Sequence, residues 1–156
     1  MKIIALAAMT ASVLMLTAVS GHADDRDRET TWKAIKGIVQ ANNVVNGISG
    51  GGQPWSTLSG EASVDLRRGE IEFEVRGLVL AGGDTIGTPG PVTAVTATIV
   101  CGAGVTASTP PIPLSAQGDA HFEGEIVVPA ACTSSNVNFL LLAGTKWIAN
   151  GSVRRP

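Results

Sequence analysis

Two runs of alternating residues within positions 60–80 restrict the chain to a β fold more than any other feature of the sequence. In each run, apolar side chains occupy every second position and polar or charged side chains lie between them. A period of two residues belongs to a strand with one buried face, so the stretch predicts a β-hairpin. The inward positions are Ala62, Val64 and Leu66 in the first run and Ile71, Phe73 and Val75 in the second.

The turn between the two runs determines which residues face each other. If Arg68-Gly69 is a two-residue loop, Val64 lies opposite Phe73, and Asp65 lies opposite Glu72. A three-residue loop would shift one arm by a single position and turn its apolar side chains toward water, so the pattern favours a loop of two or four residues. Exposed charged pairs contribute only about 0.2 to 1 kcal/mol each, so the apolar face sets the register.

The N-terminal end has the pattern of an export signal. A single lysine precedes a largely apolar run at 3–19, and small residues follow it up to Ala23. We therefore expect residues 1–23 to be a cleaved signal peptide. The alternative is an uncleaved membrane anchor, because the run approaches the roughly 20 residues that span a bilayer. A polar, mobile leader at 24–31 and one domain at 32–156 would then be secreted or periplasmic.

The charge balance excludes one class of partner. The chain has 11 Lys and Arg against 13 Asp and Glu, a formal net charge of −2, without a basic stripe. Nucleic acid is therefore not an expected partner. Charged residues make up only 15% of the chain and glycine is abundant, a composition that suits an exported all-β protein. We also expect no integral membrane segment once the signal is removed.

Cys101 and Cys132 are the only cysteines in the chain. In an oxidising compartment such a pair indicates a disulfide, which would stabilise the fold by roughly 3 to 4 kcal/mol in the chain-entropy account. The alternative is half of a metal site, which requires more Cys or His ligands than His121, the one histidine after the signal. We predict the disulfide, with no metal and no cofactor.

The rest of the chain adds further strands and few signs of a helix. Segments 42–54 and 81–91 are rich in glycine and predict loops, and the prolines of 109–113 predict a turn that cannot lie inside a sheet. Seven to eight strands predict a single-domain antiparallel β-sandwich of Greek-key type, with a closed barrel as the alternative. The additional strands are predicted at 32–40, 92–101, 104–108, 118–128, 137–142 and 146–153.

One short motif suggests a hydrolase. Residues 47–51 match G-x-S-x-G, the nucleophile elbow of α/β-hydrolases, with Ser49 as the nucleophile. The elbow requires a strand, a turn and a helix, and the following Gly51-Gly52-Gln53-Pro54 cannot begin a useful helix. A serine hydrolase that uses Ser49 is kept as an alternative function.

Acidic side chains on the outward positions of 60–80 and 118–128 offer paired carboxylates close to His121. Glycosidases and metal sites use such groups. The solvent-facing side of any strand shows the same alternation, and charges on an edge strand prevent unwanted pairing. We favour the solvent-facing interpretation.

The three tryptophans, Trp32, Trp55 and Trp147, are the remaining candidates for ligand contact in a chain without tyrosine. Trp32 begins a strand and Trp147 lies on an apolar face, so we expect both in the core. Trp55 follows the first glycine-rich loop, and we expect it to be exposed, as a sugar-stacking residue must be. Gln53 in the same loop and Asp84 in the second loop are candidate contacts beside it.

Several of these segments together resemble a family of small exported bacterial proteins of unknown function. The shared pattern is GGGxPW at 50–55, GLxLAGG at 77–83, IGT at 86–88, PVTxVxAxxxC at 91–101, and a late cysteine followed by WIAxG at 147–151. The resemblance covers most of the chain after the signal and implies a shared fold without an assigned chemistry. Residues 60–78 are also similar to part of the CHRD domain, whose histidine-containing end is absent here.

The sequence thus predicts an exported, non-catalytic binding or structural module of unknown ligand, stabilised by one disulfide. Its partner would be another exported protein or a polysaccharide. The alternatives are a carbohydrate-binding module that uses Trp55 and the serine hydrolase that uses Ser49.

Overall fold

The computed structural model describes residues 29–102 and 104–155. The predicted signal peptide, 1–23, lies outside the described residues, as does most of the predicted leader. The described residues contain no α-helix, and none of them forms a helix that is long and apolar enough to cross a membrane. The strands are β1 Glu29–Gly37, β2 Val44–Val45, β3 Ile48–Ser49, β4 Trp55–Ser56, β5 Ser59–Asp65, β6 Glu70–Arg76, β7 Val79–Leu80, β8 Ala94–Cys101, β9 Val105–Ser108, β10 Ile112–Pro113, β11 Ala120–Glu125, β12 Val137–Ala143 and β13 Lys146–Arg155.

One nine-stranded antiparallel sheet contains most of these strands. Its order is β10-β8-β12-β13-β1-β5-β6-β11, and β9 also pairs with β8. The sheet curls until its two halves face each other, because the rings of Phe73 in β6 and Phe139 in β12 lie 5.8 Å apart although three strands separate them. The predicted all-β antiparallel fold is confirmed, and its facing layers are parts of one curled, barrel-like sheet.

The hairpin of β5 and β6 has the predicted faces but a different register. Val64 lies opposite Ile71 and Ala62 opposite Phe73, two residues away from the pairing that a two-residue loop predicts. The turn contains four residues, 66–69, the other even length that the pattern allows. Asp65 favours the longer turn, because its carboxylate accepts hydrogen bonds of 2.9 Å from the backbone N–H groups of Arg67 and Arg68.

β1 begins earlier than predicted. It starts at Glu29, so the last residues of segment 24–31 belong to the sheet, and the expectation of a mobile leader is wrong for them. Thr30 lies opposite Val64 of β5, and Thr31 lies between Ser63 of β5 and Arg155 of β13. The sequence pattern concealed this extension because Thr30, which is fully buried, places a polar residue at an inward position.

The core forms where the two halves of the sheet meet. Trp32 packs against Phe139 with ring centroids 5.6 Å apart, and both residues are buried, as is Trp147, so the core positions predicted for both tryptophans are confirmed. Phe122 is only half-buried and packs against the edge of this cluster.

β13 departs from simple alternation. The register between β12 and β13 shifts between Leu141 and Leu142, and Trp147, Ile148 and Ala149 are all buried in succession. Strict alternation from Trp147 would place Val153 on the same apolar face, but Val153 is 68% exposed. Its φ of 54° turns the backbone out of the extended form, which ends the alternation there.

The predicted disulfide is confirmed: Cys101 at the end of β8 is bonded to Cys132 in the connection between β11 and β12. Proline behaves as expected at the margin of the sheet. Although 109–113 was predicted as a turn, Ile112–Pro113 pairs with β8 as the short strand β10. β10 is at one end of the sheet, where a residue without an N–H group is tolerated.

Segment 42–54 contains a small hairpin that the sequence interpretation missed. β2 and β3 pair through Val45 and Ile48, and Asn46-Gly47 forms the two-residue turn with positive φ at both positions. Asn-Gly between two apolar pairs is a strong hairpin signal. The high glycine and asparagine content of the whole segment masks this signal in the sequence.

Candidate functional site

The two glycine-rich loops lie side by side, because a short ladder joins the segment that follows the first loop to the segment that precedes the second. Trp55 pairs with Leu80, and Ser56 pairs with Val79. This ladder continues the register of the main hairpin, in which Ser59 pairs with Arg76. The Ala81 N–H then donates to the Pro54 carbonyl at 2.9 Å. We call the resulting region, residues 51–54 and 81–90, the paired-loop surface.

The second loop is held by its own hydrogen bonds. The Leu80 N–H donates to the Thr88 carbonyl, and the Gly87 N–H donates back to the Leu80 carbonyl, both at 2.9 Å. The Thr88 hydroxyl donates to the Thr85 carbonyl at 2.8 Å. Gly87 has a φ of 81°, which favours glycine at that position. The loop therefore presents its exposed residues from a defined backbone.

Two of the three predicted contact residues lie on this surface. Gln53 and Asp84 are both exposed. A Cβ built on Gly83 would lie 3.4 Å from both amide heteroatoms of Gln53, so the Gln53 amide lies against the residue that precedes Asp84. An amide and a carboxylate from separate loops thus share one surface.

The expected exposure of Trp55 is wrong, since only 5% of this residue is exposed. Its backbone N–H donates to the Ile38 carbonyl at 2.8 Å. In the ladder with Leu80, Trp55 faces inward and Ser56 faces outward. The loop composition before Trp55 gave no sign of this pairing. Trp55 lies beneath the paired-loop surface and cannot stack its face on a sugar.

The G-x-S-x-G segment does not form a nucleophile elbow. Ser49 is half-buried in β3, opposite Val44, and the chain continues into Gly50, which forms a bridge with Trp147. A hairpin and a loop take the place of the required strand, turn and helix. His121 is exposed on β11, at the end of the main sheet and opposite Glu74.

The outer face of β5, β6 and β11 carries like-charged pairs that the predicted register did not contain. Glu61 lies opposite Glu74, and Glu72 lies opposite Glu123. Glu72 and Glu123 border a groove with a volume of about 360 Å³. Neighbouring positions on a sheet are about 5 Å apart or more, so the carboxylates form a spaced grid. Among the described residues, no group of three His, Cys, Asp or Glu side chains could hold a metal ion.

Asp65, beside this face, has a displaced pKa. Burial raises its pKa, but hydrogen bonds from the backbone N–H groups of Arg68 and Arg67 and from the Arg68 side chain outweigh that effect, so the pKa lies below its usual value. The Arg68 guanidinium lies 2.9 Å from Asp65 and 2.8 Å from Glu70. These contacts stabilise the hairpin turn, which is a structural role.

Comparison with known proteins found no protein family that matches the chain and no similar curated protein or solved structure. The resemblances to the exported bacterial family and to part of the CHRD domain therefore stay predictions.

Proposed function

We propose that the protein is an exported, non-catalytic binding module that contacts its ligand through the paired-loop surface. The observation that carries this proposal is the ladder of Trp55–Ser56 with Val79–Leu80, a two-stranded sheet that holds two glycine-rich loops side by side. Ligand-contacting residues commonly lie on loops that a rigid scaffold positions. The partner is another exported protein or a polysaccharide.

The chemistry of the surface supports binding by hydrogen bonds. The Gln53 amide both donates and accepts, and the Asp84 carboxylate accepts. The hydrogen bonds within residues 80–88 hold the second loop before any ligand arrives, which reduces the entropy lost on binding. The disulfide and the closely packed core support the same rigid role.

Export is the second part of the proposal. A disulfide is typical of an oxidising compartment, and the sequence begins with the pattern of a signal peptide. We expect N-terminal sequencing of the protein recovered from its native host to begin at Asp24. Recovery of the chain with its first 23 residues intact would contradict cleavage at this position.

The binding site is tested with a double variant, Gln53→Ala with Asp84→Ala, and a control variant, Glu123→Ala, from the acidic face. Each protein is immobilised and exposed to the extracytoplasmic fraction of the native host, and retained proteins and glycans are identified. The retained component is then purified and titrated. We expect the wild type and the control to bind it equally, and the double variant to bind at least about tenfold more weakly, the loss of roughly 1.4 kcal/mol.

Equal binding by all three proteins would refute the paired-loop surface as the site. The non-catalytic part of the proposal has a separate test, because activated serines react with fluorophosphonate probes. Labelling of the intact protein that Ser49→Ala abolishes would contradict it.

A further inference from the structure

The indole of Trp55 leaves one polar group unpaired beneath the first loop. A Cβ built on Gly51 would lie 3.9 Å from its Nε1 atom. Trp147, in contrast, donates its indole N–H to the Asn43 carbonyl at 3.0 Å. Within residues 29–102 and 104–155, the Trp55 Nε1–H donates to no acceptor. Buried indole N–H groups usually have a partner, so this donor is unusual.

The Trp55 indole nitrogen is also not among the fully buried side-chain atoms that lack a partner. Among the described residues, Thr30 Oγ1 is the only fully buried side-chain N or O atom without a partner, so the unpaired Trp55 nitrogen is not fully enclosed. A Cβ on the neighbouring Gly52 would meet no atom within 4 Å. The Trp55 Nε1 atom thus lies near Gly51, next in the chain to the exposed Gly52.

We infer that the Trp55 Nε1–H donates a hydrogen bond to a hydroxyl group of a bound carbohydrate. This inference rests on the proposed function and names the ligand class of the same surface. The indole N–H donates, the Gln53 amide donates and accepts, and the Asp84 carboxylate accepts. Sugar hydroxyls both donate and accept, so such a set of groups suits a polyol. The buried ring fixes the direction of the N–H, which lowers the entropic cost of the contact.

The premise is tested first without a ligand. In ¹H–¹⁵N spectra of the labelled protein, each tryptophan gives one indole signal, and Trp55→Phe and Trp147→Phe assign the two that matter. We expect the Trp55 indole proton to exchange with water faster than that of Trp147, which is bonded to Asn43. Exchange of Trp55 that is as slow as that of Trp147 would overturn the inference, because the donor would then be closed to any ligand.

The ligand class is tested with neutral hexasaccharides of glucose, N-acetylglucosamine, xylose and mannose. We expect at least one of them to shift the Trp55 indole signal and the amide signals of Gly83 and Asp84. We expect Trp55→Phe, which keeps an aromatic ring but lacks the N–H, to weaken that binding about tenfold. Trp32→Phe is the matched control, because Trp32 lies in the core against Phe139, and it should bind like the wild type.

The outcomes separate this inference from the proposed function. Sugar binding that shifts the loop amides but leaves the indole signal and the affinity of Trp55→Phe unchanged would overturn the role of Trp55 alone. Binding of a protein and of no sugar at the paired-loop surface would overturn the carbohydrate class and leave the proposed function standing. Because the indole shift is measured on the wild type, an unstable Trp55→Phe would not remove the test.

Discussion

Thr30 shows how one buried hydroxyl can work against the fold that contains it. Its side chain is fully buried in β1, and its Oγ1 has no hydrogen-bond partner among the described residues. An unsatisfied buried group of this kind costs about 1 to 3 kcal/mol. Thr30→Val replaces the hydroxyl with a methyl of similar size, so we expect urea unfolding to show a gain of about 1 kcal/mol.

Thr98→Val is the control for that prediction. Thr98 is also buried, but its hydroxyl is 2.9 Å from the Ser108 hydroxyl, so its loss should cost about 1 kcal/mol. A gain in stability in both variants, or in neither, would show that the unpaired hydroxyl of Thr30 does not determine the change in the free energy of unfolding.

Gly69 is required at its position both for its positive φ and for the lack of room for a Cβ atom. A comparison with Gly47 separates the two effects. Gly69 and Gly47 both have positive φ, 78° and 83°. A Cβ on Gly69 would collide with the Ile126 carbonyl oxygen, whereas a Cβ on Gly47 would meet nothing within 4 Å. We expect Gly47→Ala to cost about 1 to 2 kcal/mol through backbone strain alone, and Gly69→Ala to cost at least about 2 kcal/mol more.

The additional cost at Gly69 includes the weakening of the 2.8 Å hydrogen bond from the Ile126 N–H to the Gly69 carbonyl. The Ile126 carbonyl cannot move away from the added Cβ without disturbing this bond. Chemical unfolding of the two variants measures the difference. Equal losses would show that the contact with Ile126 has no energetic importance.

At the scale of elements, the hairpin of β5 and β6 shows what a face pattern leaves undetermined. Alternation repeats every two residues, so pairings that differ by two residues place the same side chains inward. Only the turn distinguishes these pairings, and Asp65 favours a four-residue turn because its carboxylate accepts hydrogen bonds from two backbone N–H groups. With that register, Trp55 falls opposite Leu80, so the correct turn would have predicted the meeting of the two loops. The burial of Trp55 also depends on a break in the alternation at residues 77–78, which are both buried.

The turn should also make stability depend on pH. The pKa of Asp65 is lower in the folded protein than the value of about 3.9 in an unfolded chain. Such a group stabilises the fold above the unfolded pKa, and this contribution is lost as the pH falls through the folded one. We expect Asp65→Asn to cost about 1 kcal/mol at pH 7, and its difference from the wild type to shrink below about pH 4.

Urea unfolding at pH 7 and at pH 3 measures this change. Glu70→Gln is the control, because the Glu70 carboxylate contacts Arg68 at the exposed surface, where an ion pair is worth about 0 to 1 kcal/mol. A loss from Asp65→Asn that stays constant across this range would contradict a role for its charge.

For the whole molecule, local signals predicted the class of fold and long-range pairing determined the rest. Alternation and turn residues indicated the all-β fold, and the count of cysteines indicated the disulfide. The sheet order was not predictable, because β1 pairs with β13 from the far end of the chain and no local pattern records that contact. The candidate site was partly predicted: Gln53 and Asp84 lie at one surface, whereas the indole edge of Trp55 depends on pairing with β7.

The disulfide acts at this same scale, because Cys101 and Cys132 are 31 residues apart and join β8 to the connection between β11 and β12. Closing such a loop restricts the unfolded chain, so we expect the double variant Cys101→Ser with Cys132→Ser to lose roughly 3 to 4 kcal/mol in urea unfolding. A reducing agent should weaken the wild type by a similar amount and leave the variant unchanged. If it weakened both equally, the loss would come from elsewhere, and if the variant kept full stability, the packing of the curled sheet alone would hold this connection in place.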